Sequence, residues 1–305
     1  MVRLCPAART ARLVALWLVF AMLAGARAED APQSQPAPTA TPTGAKSAGI
    51  GGRGGATPVP PATEPHRLPP DSTSRQTLAL TGRTLNFTAT AGSIRLFDDK
   101  GEPQADNAYT AYQLDGADPQ IRPVTFFFNG GPVSASAWLQ FGNAGPWRLD
   151  LDAASVSSSS SPGLHPNDDT WLDFTDLVFI DPVGTGFSRF VATGDDVRKK
   201  FFSVDGDAGS VALTIRRWLE KSDRLLSPKF VVGESYGGIR GPKVVRQLQT
   251  QQGVGVKGLI LVSPLLDFRE FSGSSLLQYV ASLPSMAAVA REAKAAVSRC
   301  RHGRC

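Results

Sequence analysis

The sequence predicts an α/β fold built on a mainly parallel β-sheet. Three apolar runs, at 123–128, 176–180 and 229–232, each lead into a turn that contains glycine. Open parallel sheets bind their ligands at the carboxyl ends of the strands, where such turns lie. The stretch 205–221 repeats apolar residues at helical spacing, and 258–262 is a further apolar run. Alternating strands and helices of this kind favour a parallel sheet covered by helices.

The first 28 residues are typical of a secretory signal peptide. Three arginines precede an unbroken apolar run from Leu13 to Leu23, and 26–28 reads Ala-Arg-Ala. A basic start, an apolar centre and small residues at the cleavage position define such peptides. The apolar run is short for a bilayer span. We therefore expect cleavage after Ala28, a secreted or periplasmic protein, and no stable membrane span.

The charge balance argues against a nucleic-acid partner. The chain holds 32 Lys and Arg and 27 Asp and Glu, for a formal net charge of +5. Four of the arginines and none of the acidic residues lie in 1–28, so the rest of the chain carries 28 basic and 27 acidic residues. A nucleic-acid-binding surface needs a basic stripe, often with interleaved aromatic residues, and the sequence shows none.

Composition also sets the limits of the folded part. Residues 29–74 are rich in Pro, Ala, Thr and Gly and contain almost no large apolar residue. Such a segment cannot bury enough surface to offset its ordering entropy, so we expect a disordered linker, with His66 exposed to solvent. The following stretch, 75–290, is long enough for one domain with one core.

The last residues, 291–305, form a basic segment that we interpret as an unstructured tail. They contain Cys300, His302 and Cys305. Three ligands within six residues are poorly placed for one tetrahedral zinc, and no second cluster exists. We therefore predict no metal and no cofactor.

Upstream of the parallel strands, the sequence predicts antiparallel ones. Polar and apolar residues alternate over 77–80, 84–88 and 93–97, and Asp-Asp-Lys-Gly at 98–101 signals a turn. We expect the region 76–114 to form antiparallel strands that lead into the sheet.

A strand-to-helix turn supplies the candidate nucleophile. Gly233-Glu234-Ser235-Tyr236-Gly237 has the pattern Gly-x-Ser-x-Gly and directly follows the run 229–232. Such an elbow lifts the serine hydroxyl out at the carboxyl edge of a sheet. We expect Gly233 and Gly237 to be required because strand and helix pass too close there for a Cβ. The alternative is a glycine-rich turn without chemistry.

Two other turns belong to the same edge of the predicted sheet. Asn129-Gly130-Gly131-Pro132 follows the run 123–128, and Asp181-Pro182-Val183-Gly184-Thr185-Gly186-Phe187-Ser188 follows the run 176–180. A Gly-Gly loop lets backbone N–H groups approach a substrate closely. Acyl transfer needs such N–H groups, because they stabilise the oxyanion that forms in the transition state.

In this order, the three motifs resemble those of the serine carboxypeptidases, α/β-hydrolases that remove single residues from peptide C-termini. The resemblance covers 78–267 and indicates a secreted, bacterial-type member whose partners are peptide or protein C-termini. The sequence departs from the family at several places, and no Gln separates Asp181 from Pro182. Val133-Ser134 stand where many members have Gly-Cys, and Phe127 stands where many have Trp.

The resemblance implies a role for each motif residue. Ser235 is expected to be the nucleophile, and the N–H groups of Gly131 and Tyr236 are expected to form the oxyanion hole. The residues expected to bind the C-terminal carboxylate of the substrate are Asn129, Gly130 and Glu234. Independently of the family, a protonated carboxyl at Glu234 can share its proton with a peptide carboxylate, whereas the alternative is a solvated turn residue.

The base that should activate Ser235 is missing from the pattern. A serine nucleophile needs a histidine to take its proton and an acid to orient that histidine, and in this fold both follow the serine. Only His302 follows Ser235, Asp267 lies one strand too early for the acid, and His165 sits in a loop-like Pro/Asn/Asp cluster. We expect a C-terminally truncated member whose sheet lacks its last strands and exposes an edge.

The sequence is compatible with three functions. The motifs favour a serine carboxypeptidase that acts through an acyl-enzyme on Ser235. A related acyltransferase or esterase would use the same motifs. A non-catalytic remnant is favoured by the missing histidine.

Overall fold

The computed structural model describes residues 68–149, 163–271 and 276–301. The sequence predictions for the signal peptide, for most of the linker with His66, and for His302 and Cys305 lie outside the described residues. The chain divides into two compact units, with a boundary between Phe268 and Arg269. The active-site motifs all lie in the unit that ends at Phe268.

An eight-stranded mixed sheet organises this unit. The strand order is β1-β2-β3-β7-β4-β9-β10, and β8 pairs with β3 beside this path. Strands β7, β4, β9 and β10 are parallel, whereas β1, β2, β3 and β8 pair antiparallel. The strands are β1 (Ser72–Leu80), β2 (Arg83–Phe97), β3 (Pro103–Leu114), β4 (Val124–Phe128), β7 (Asp176–Ile180), β8 (Arg189–Phe190), β9 (Lys229–Glu234) and β10 (Gly258–Val262). A separate antiparallel pair consists of β5 (Trp147–Leu149) and β6 (Leu164–Pro166).

The helices follow the strands as the sequence predicts for an α/β fold. They are α1 (Ala137–Leu139), α2 (Asp195–Phe201), α3 (Val204–Lys221), α4 (Gly237–Thr250) and α5 (Leu277–Arg301). A π-helical turn at Gln140–Ala144 continues α1, and 3₁₀ turns lie at Trp171–Asp173 and Phe268–Phe271. Ser203 caps α3 by accepting a 3.0 Å hydrogen bond from the N–H of Gly206. Among the described helices, none has the length and apolar character needed to cross a bilayer.

The core fills both faces of the sheet around β4 and β7, in which all residues are buried. Successive side chains of a strand point to opposite faces. Phe126 therefore packs edge to face on Trp218 of α3 at 5.4 Å between ring centroids, whereas Phe127 stacks on Phe179 at 4.7 Å. The apolar face predicted for α3 is buried as expected, Trp218 included. This packing fixes the carboxyl ends of the parallel strands, where the motifs lie.

Some details differ from the sequence predictions. Strand β1 begins at Ser72, before the expected end of the linker at 74, because it pairs with β2 from that residue onward. The tail predicted to be unstructured is helical up to Arg301, since α5 is rich in Ala, which favours helices. The described part of the sheet ends at β10, where the side chain of Ile260 is exposed.

Candidate active site

Ser235 sits in a strained elbow between β9 and α4. Its φ angle is +55°, in the left-handed region that residues with a side chain rarely adopt. The N–H of Ser235 donates to the carbonyl of Val262 at 3.0 Å. The carbonyl of Ser235 accepts the N–H groups of Gly238 and Leu265 at 2.9 and 2.8 Å. These bonds tie the elbow to β10 and the chain after it, and they hold the serine in the conformation that the motif predicts.

The glycines of the elbow confirm one expectation and correct another. A Cβ on Gly233 would lie 2.8 Å from the carbonyl oxygen of Gly237 and 3.0 Å from the ring of Phe128, so only glycine fits there. The same requirement for Gly237 was wrong, because its Cβ would make ordinary contacts, the nearest at 3.7 Å. The restricted position is Gly238, where a Cβ would lie 2.3 Å from the carbonyl oxygen of Leu265. Helix α4 therefore packs closely against the chain after β10 at Gly238.

The loop after β4 lies directly against the elbow. Gly130 is buried, and a Cβ added to it would lie 2.4 Å from the N atom of Tyr236 and 2.8 Å from the Cβ of Ser235. Gly131 has a φ angle of +107°. Within the described part of the chain, neither the N–H of Gly131 nor that of Tyr236 donates a hydrogen bond. An oxyanion hole requires two such unpaired backbone donors, here on the two segments that meet at Gly130 and Ser235.

The three residues expected to bind a carboxylate lie together. Glu234 Oε2 accepts hydrogen bonds from Asn129 Nδ2 at 3.0 Å and from the N–H of Gly130 at 3.2 Å. Asn129 Oδ1 accepts the N–H of Leu139 at 3.1 Å, which fixes the orientation of the amide. The other carboxylate oxygen of Glu234 receives no hydrogen bond from the described residues, and the side chain is partly exposed. This second oxygen can therefore make a further hydrogen bond.

Asp181 connects its own loop, 181–188, to the start of α1, a contact that the sequence did not reveal. Its carboxylate accepts the N–H groups of Ser136 at 2.9 Å and of Phe187 at 3.0 Å. A Cβ on Gly186 would lie 2.1 Å from Asp181 Oδ2, which explains the glycine. Burial raises the pKa of Asp181, while the two backbone N–H bonds and the charge of Arg189 oppose the rise.

No candidate base lies beside Ser235 in the described residues. His165 is the only histidine among them, and it lies on β6 opposite Arg148 with its side chain exposed. No hydrogen bond joins it to Ser235. Over the same residues, no group of three His, Cys, Asp or Glu side chains could hold a metal ion.

Comparison with solved structures supports the fold. The prohormone-processing carboxypeptidase Kex1Δp of Saccharomyces cerevisiae superposes with a TM-score of 0.50 at 19% sequence identity. The match covers 70% of this chain and 47% of the yeast chain. At this identity the likeness shows the fold alone, and the predicted α/β-hydrolase fold is confirmed.

The amino-acid sequence is also similar to those of plant proteins. Serine carboxypeptidase-like 1 and serine carboxypeptidase-like 17 of Arabidopsis thaliana are 28% and 27% identical over 188 and 175 residues. These alignments cover 58% and 55% of this chain but only 40% and 38% of the plant proteins, so the chain spans less than half the length of these relatives. A family model described as serine carboxypeptidase matches residues 91–300, which include the Asn129, Asp181 and Ser235 motifs. The predicted resemblance is thereby confirmed, and the chain belongs to the serine carboxypeptidase family.

Proposed function

We propose that the protein is a serine-type carboxypeptidase that releases C-terminal residues from peptides through an acyl-enzyme on Ser235. One observation carries the proposal: the serine elbow, two unpaired N–H groups and the carboxylate of Glu234 lie within one cluster of contacts. The first two features suit acyl transfer in general. The carboxylate of Glu234 distinguishes an enzyme that recognises peptide C-termini from other acyl-transfer enzymes.

The chemistry follows from these positions. The hydroxyl oxygen of Ser235 attacks the carbonyl carbon of the last peptide bond, and the resulting oxyanion accepts the N–H groups of Gly131 and Tyr236. The C–N bond then breaks, the C-terminal amino acid leaves, and water hydrolyses the acyl-enzyme. A group outside the described residues has to take the serine proton and deliver it to the leaving nitrogen. In the family pattern this group is a histidine oriented by an aspartate.

Recognition of the C-terminal carboxylate is assigned to Glu234, Asn129 and Gly130. Two carboxylates cannot approach each other while both are ionised without a large electrostatic cost. One proton held between Glu234 and the substrate removes that repulsion and makes a short, strong hydrogen bond. Asn129 Nδ2 still has its second N–H, and it adds a donor on the same side.

Export is part of the proposed function. The signal-peptide pattern in 1–28 supports a secreted or periplasmic enzyme, where peptides with free C-termini would be its substrates.

A second candidate is a peptide-binding protein without turnover, favoured by the absence of a histidine beside Ser235 in the described residues. Mass spectrometry of products separates the two. An N-blocked tripeptide is incubated with a comparable amount of protein, alongside the same peptide as a C-terminal amide and the Ser235→Ala variant. Release of one residue from the acid alone, by wild type alone, supports the carboxypeptidase. Internal cleavage, or equal release by the variant, would overturn it.

A further inference from the structure

Arg240 is a fully buried cation close to the candidate active site. It lies on α4, one turn behind the elbow, and its side chain is 0% exposed. Its guanidinium carbon lies 5.0 Å from the ring centroid of Tyr236 and 5.6 Å from that of Phe128. A buried charge costs folding free energy unless it is well paired. The position therefore needs an explanation beyond packing.

The hydrogen bonds of Arg240 supply that explanation. Its Nη1 donates to the carbonyl of Asn129 at 2.6 Å, and its Nη2 donates to the carbonyl of Pro132 at 3.0 Å. These two carbonyls stand immediately before and after Gly130-Gly131. One rigid planar group thus holds both ends of the loop that carries the unpaired N–H of Gly131.

The loop requires support from outside itself. Glycine restricts the backbone less than any other residue, and two successive glycines leave the direction of the Gly131 N–H poorly fixed. An oxyanion donor acts only when it is aimed in advance at the position where charge develops. The fork geometry of arginine suits this task, because its N–H groups keep a fixed spacing, whereas lysine presents a single point of charge.

Asp207 fixes Arg240 from a different helix. Its Oδ2 accepts the Nε–H of Arg240 at 2.7 Å, and it lies in the first turn of α3. Burial raises the pKa of Asp207, and the charge and hydrogen bond of Arg240 oppose that rise. The carboxylate thus binds the Nε–H, which the loop carbonyls do not use.

We propose that Arg240 is a positioning residue that holds the N–H of Gly131 in the oxyanion hole by anchoring both ends of its loop, with Asp207 orienting Arg240. This inference rests on the proposed use of Gly131 in acyl transfer. It assigns no contact with substrate to either residue. Their effect passes through the loop, so it should be visible in the free protein.

Selective labelling isolates the N–H of Gly131. When glycine carries ¹⁵N and a ¹³C carbonyl, an amide correlates with the preceding carbonyl only where glycine follows glycine. The chain has four such positions, namely Gly52, Gly55, Gly131 and Gly238. In Arg240→Lys and in Asp207→Asn, the Gly131 correlation should shift or broaden relative to wild type. Asp207→Asn retains the arginine but removes the carboxylate that orients it, so it provides a second test if the lysine variant does not fold.

Arg224→Lys is the matched control. Arg224 is also buried, pairs with Asp176 and donates to the carbonyl of Arg122 at 2.9 Å, but this carbonyl precedes β4 rather than following it. The control should leave the Gly131 correlation unchanged. A correlation that is unchanged in both Arg240→Lys and Asp207→Asn overturns the proposal, as does an equal shift in Arg224→Lys.

Covalent labelling measures the consequence. A fluorophosphonate forms a bond from the Ser235 oxygen to phosphorus, releases fluoride and passes the serine proton to solvent, while its phosphoryl oxygen gains charge in the transition state. Arg240→Lys should lower the labelling rate of Ser235 by roughly 10- to 100-fold, below the loss expected when a donor is removed outright. Arg224→Lys should label at the wild-type rate.

The Gly131 correlation and the labelling rate together distinguish the positioning by Arg240 from the proposed acyl transfer on Ser235. If wild type is not labelled even on prolonged incubation but Gly131 shifts in the Arg240 and Asp207 variants, the positioning stands and the proposed acyl transfer fails. If wild type and Arg240→Lys are labelled equally fast, the positioning fails and the nucleophile stands.

Discussion

Asn129 donates a 3.0 Å hydrogen bond to Glu234, the residue immediately before the candidate nucleophile. The bond joins two motifs that are 105 positions apart in the chain, at the ends of the adjacent parallel strands β4 and β9. It places the Glu234 side chain beside the region where the scissile bond would lie. In the proposed function, recognition of the substrate carboxylate depends on this pair.

Peptide binding should therefore weaken as the pH rises. At acidic pH one proton is shared between Glu234 and the peptide carboxylate, and its loss at higher pH leaves two negative charges in contact. Glu234→Gln keeps a hydrogen-bonding group without the charge, so its KM or Kd should change little with pH. Glu220→Gln on the exposed face of α3 is the control and should keep the wild-type slope. An equally steep rise in Glu234→Gln would show that Glu234 does not hold the proton.

The elbow glycines should respond unequally to alanine. Gly238→Ala puts a Cβ within 2.3 Å of the Leu265 carbonyl, which rigid backbone cannot avoid, so we expect a loss of about 1–3 kcal/mol in the free energy of unfolding. Gly237→Ala meets only ordinary contacts and should be neutral or stabilise by up to about 1 kcal/mol. Urea unfolding of the two variants measures the difference. Equal losses would contradict the geometry of the elbow.

Asp181 should make stability depend on pH. Burial raises its pKa above the ordinary 3.8, so its favourable contribution is complete below that value and is lost as the pH rises through the folded-state pKa. The unfolding free energy of wild type minus that of Asp181→Asn should accordingly fall as the pH rises above 3.8. Asp169→Asn, whose side chain is 82% exposed, is the control and should show no such change. An unfolding free energy of wild type that instead rises with pH relative to Asp181→Asn would contradict a raised pKa of Asp181.

Local sequence patterns predicted the elbow and the strands, because each depends on a few neighbouring residues, whereas the cluster of Asn129, Gly130 and Glu234 followed from the family resemblance. Ser235 and Gly233 lie as expected, and Glu234 meets Asn129 because parallel strands end at one edge. The Arg240–Asp207 pair was not predicted. An arginine in a helix is usually exposed, and its burial here depends on a carboxylate from another helix, which no local pattern encodes. Gly237 was assigned a restriction that belongs to Gly238, since the contact comes from the chain after β10.

Turnover by residues 1–305 alone should be very slow, because no histidine lies beside Ser235 in the part of the chain that the structure describes. Loss of the histidine from a serine–histidine–aspartate system lowers kcat by roughly 10⁶-fold in subtilisin, and roughly 10³–10⁴-fold over water remains from the oxyanion hole and binding. Circular dichroism establishes folding, and hydrolysis of a blocked dipeptide at acidic pH gives the rate. Hydrolysis at ordinary enzyme rates that Ser235→Ala abolishes would reveal a base within these residues. His302 and His165 would then be the first to substitute.

Calorimetric titration at about pH 5 with an N-blocked dipeptide and with the same dipeptide as its C-terminal amide tests the central claim, because it needs no turnover. The site built from Asn129, Gly130 and Glu234 should bind the free acid at least about tenfold more tightly than the amide, which is about 1.4 kcal/mol. Glu234→Ala should remove most of that preference. Equal affinities of the wild-type protein for the acid and the amide would contradict a site that reads peptide C-termini.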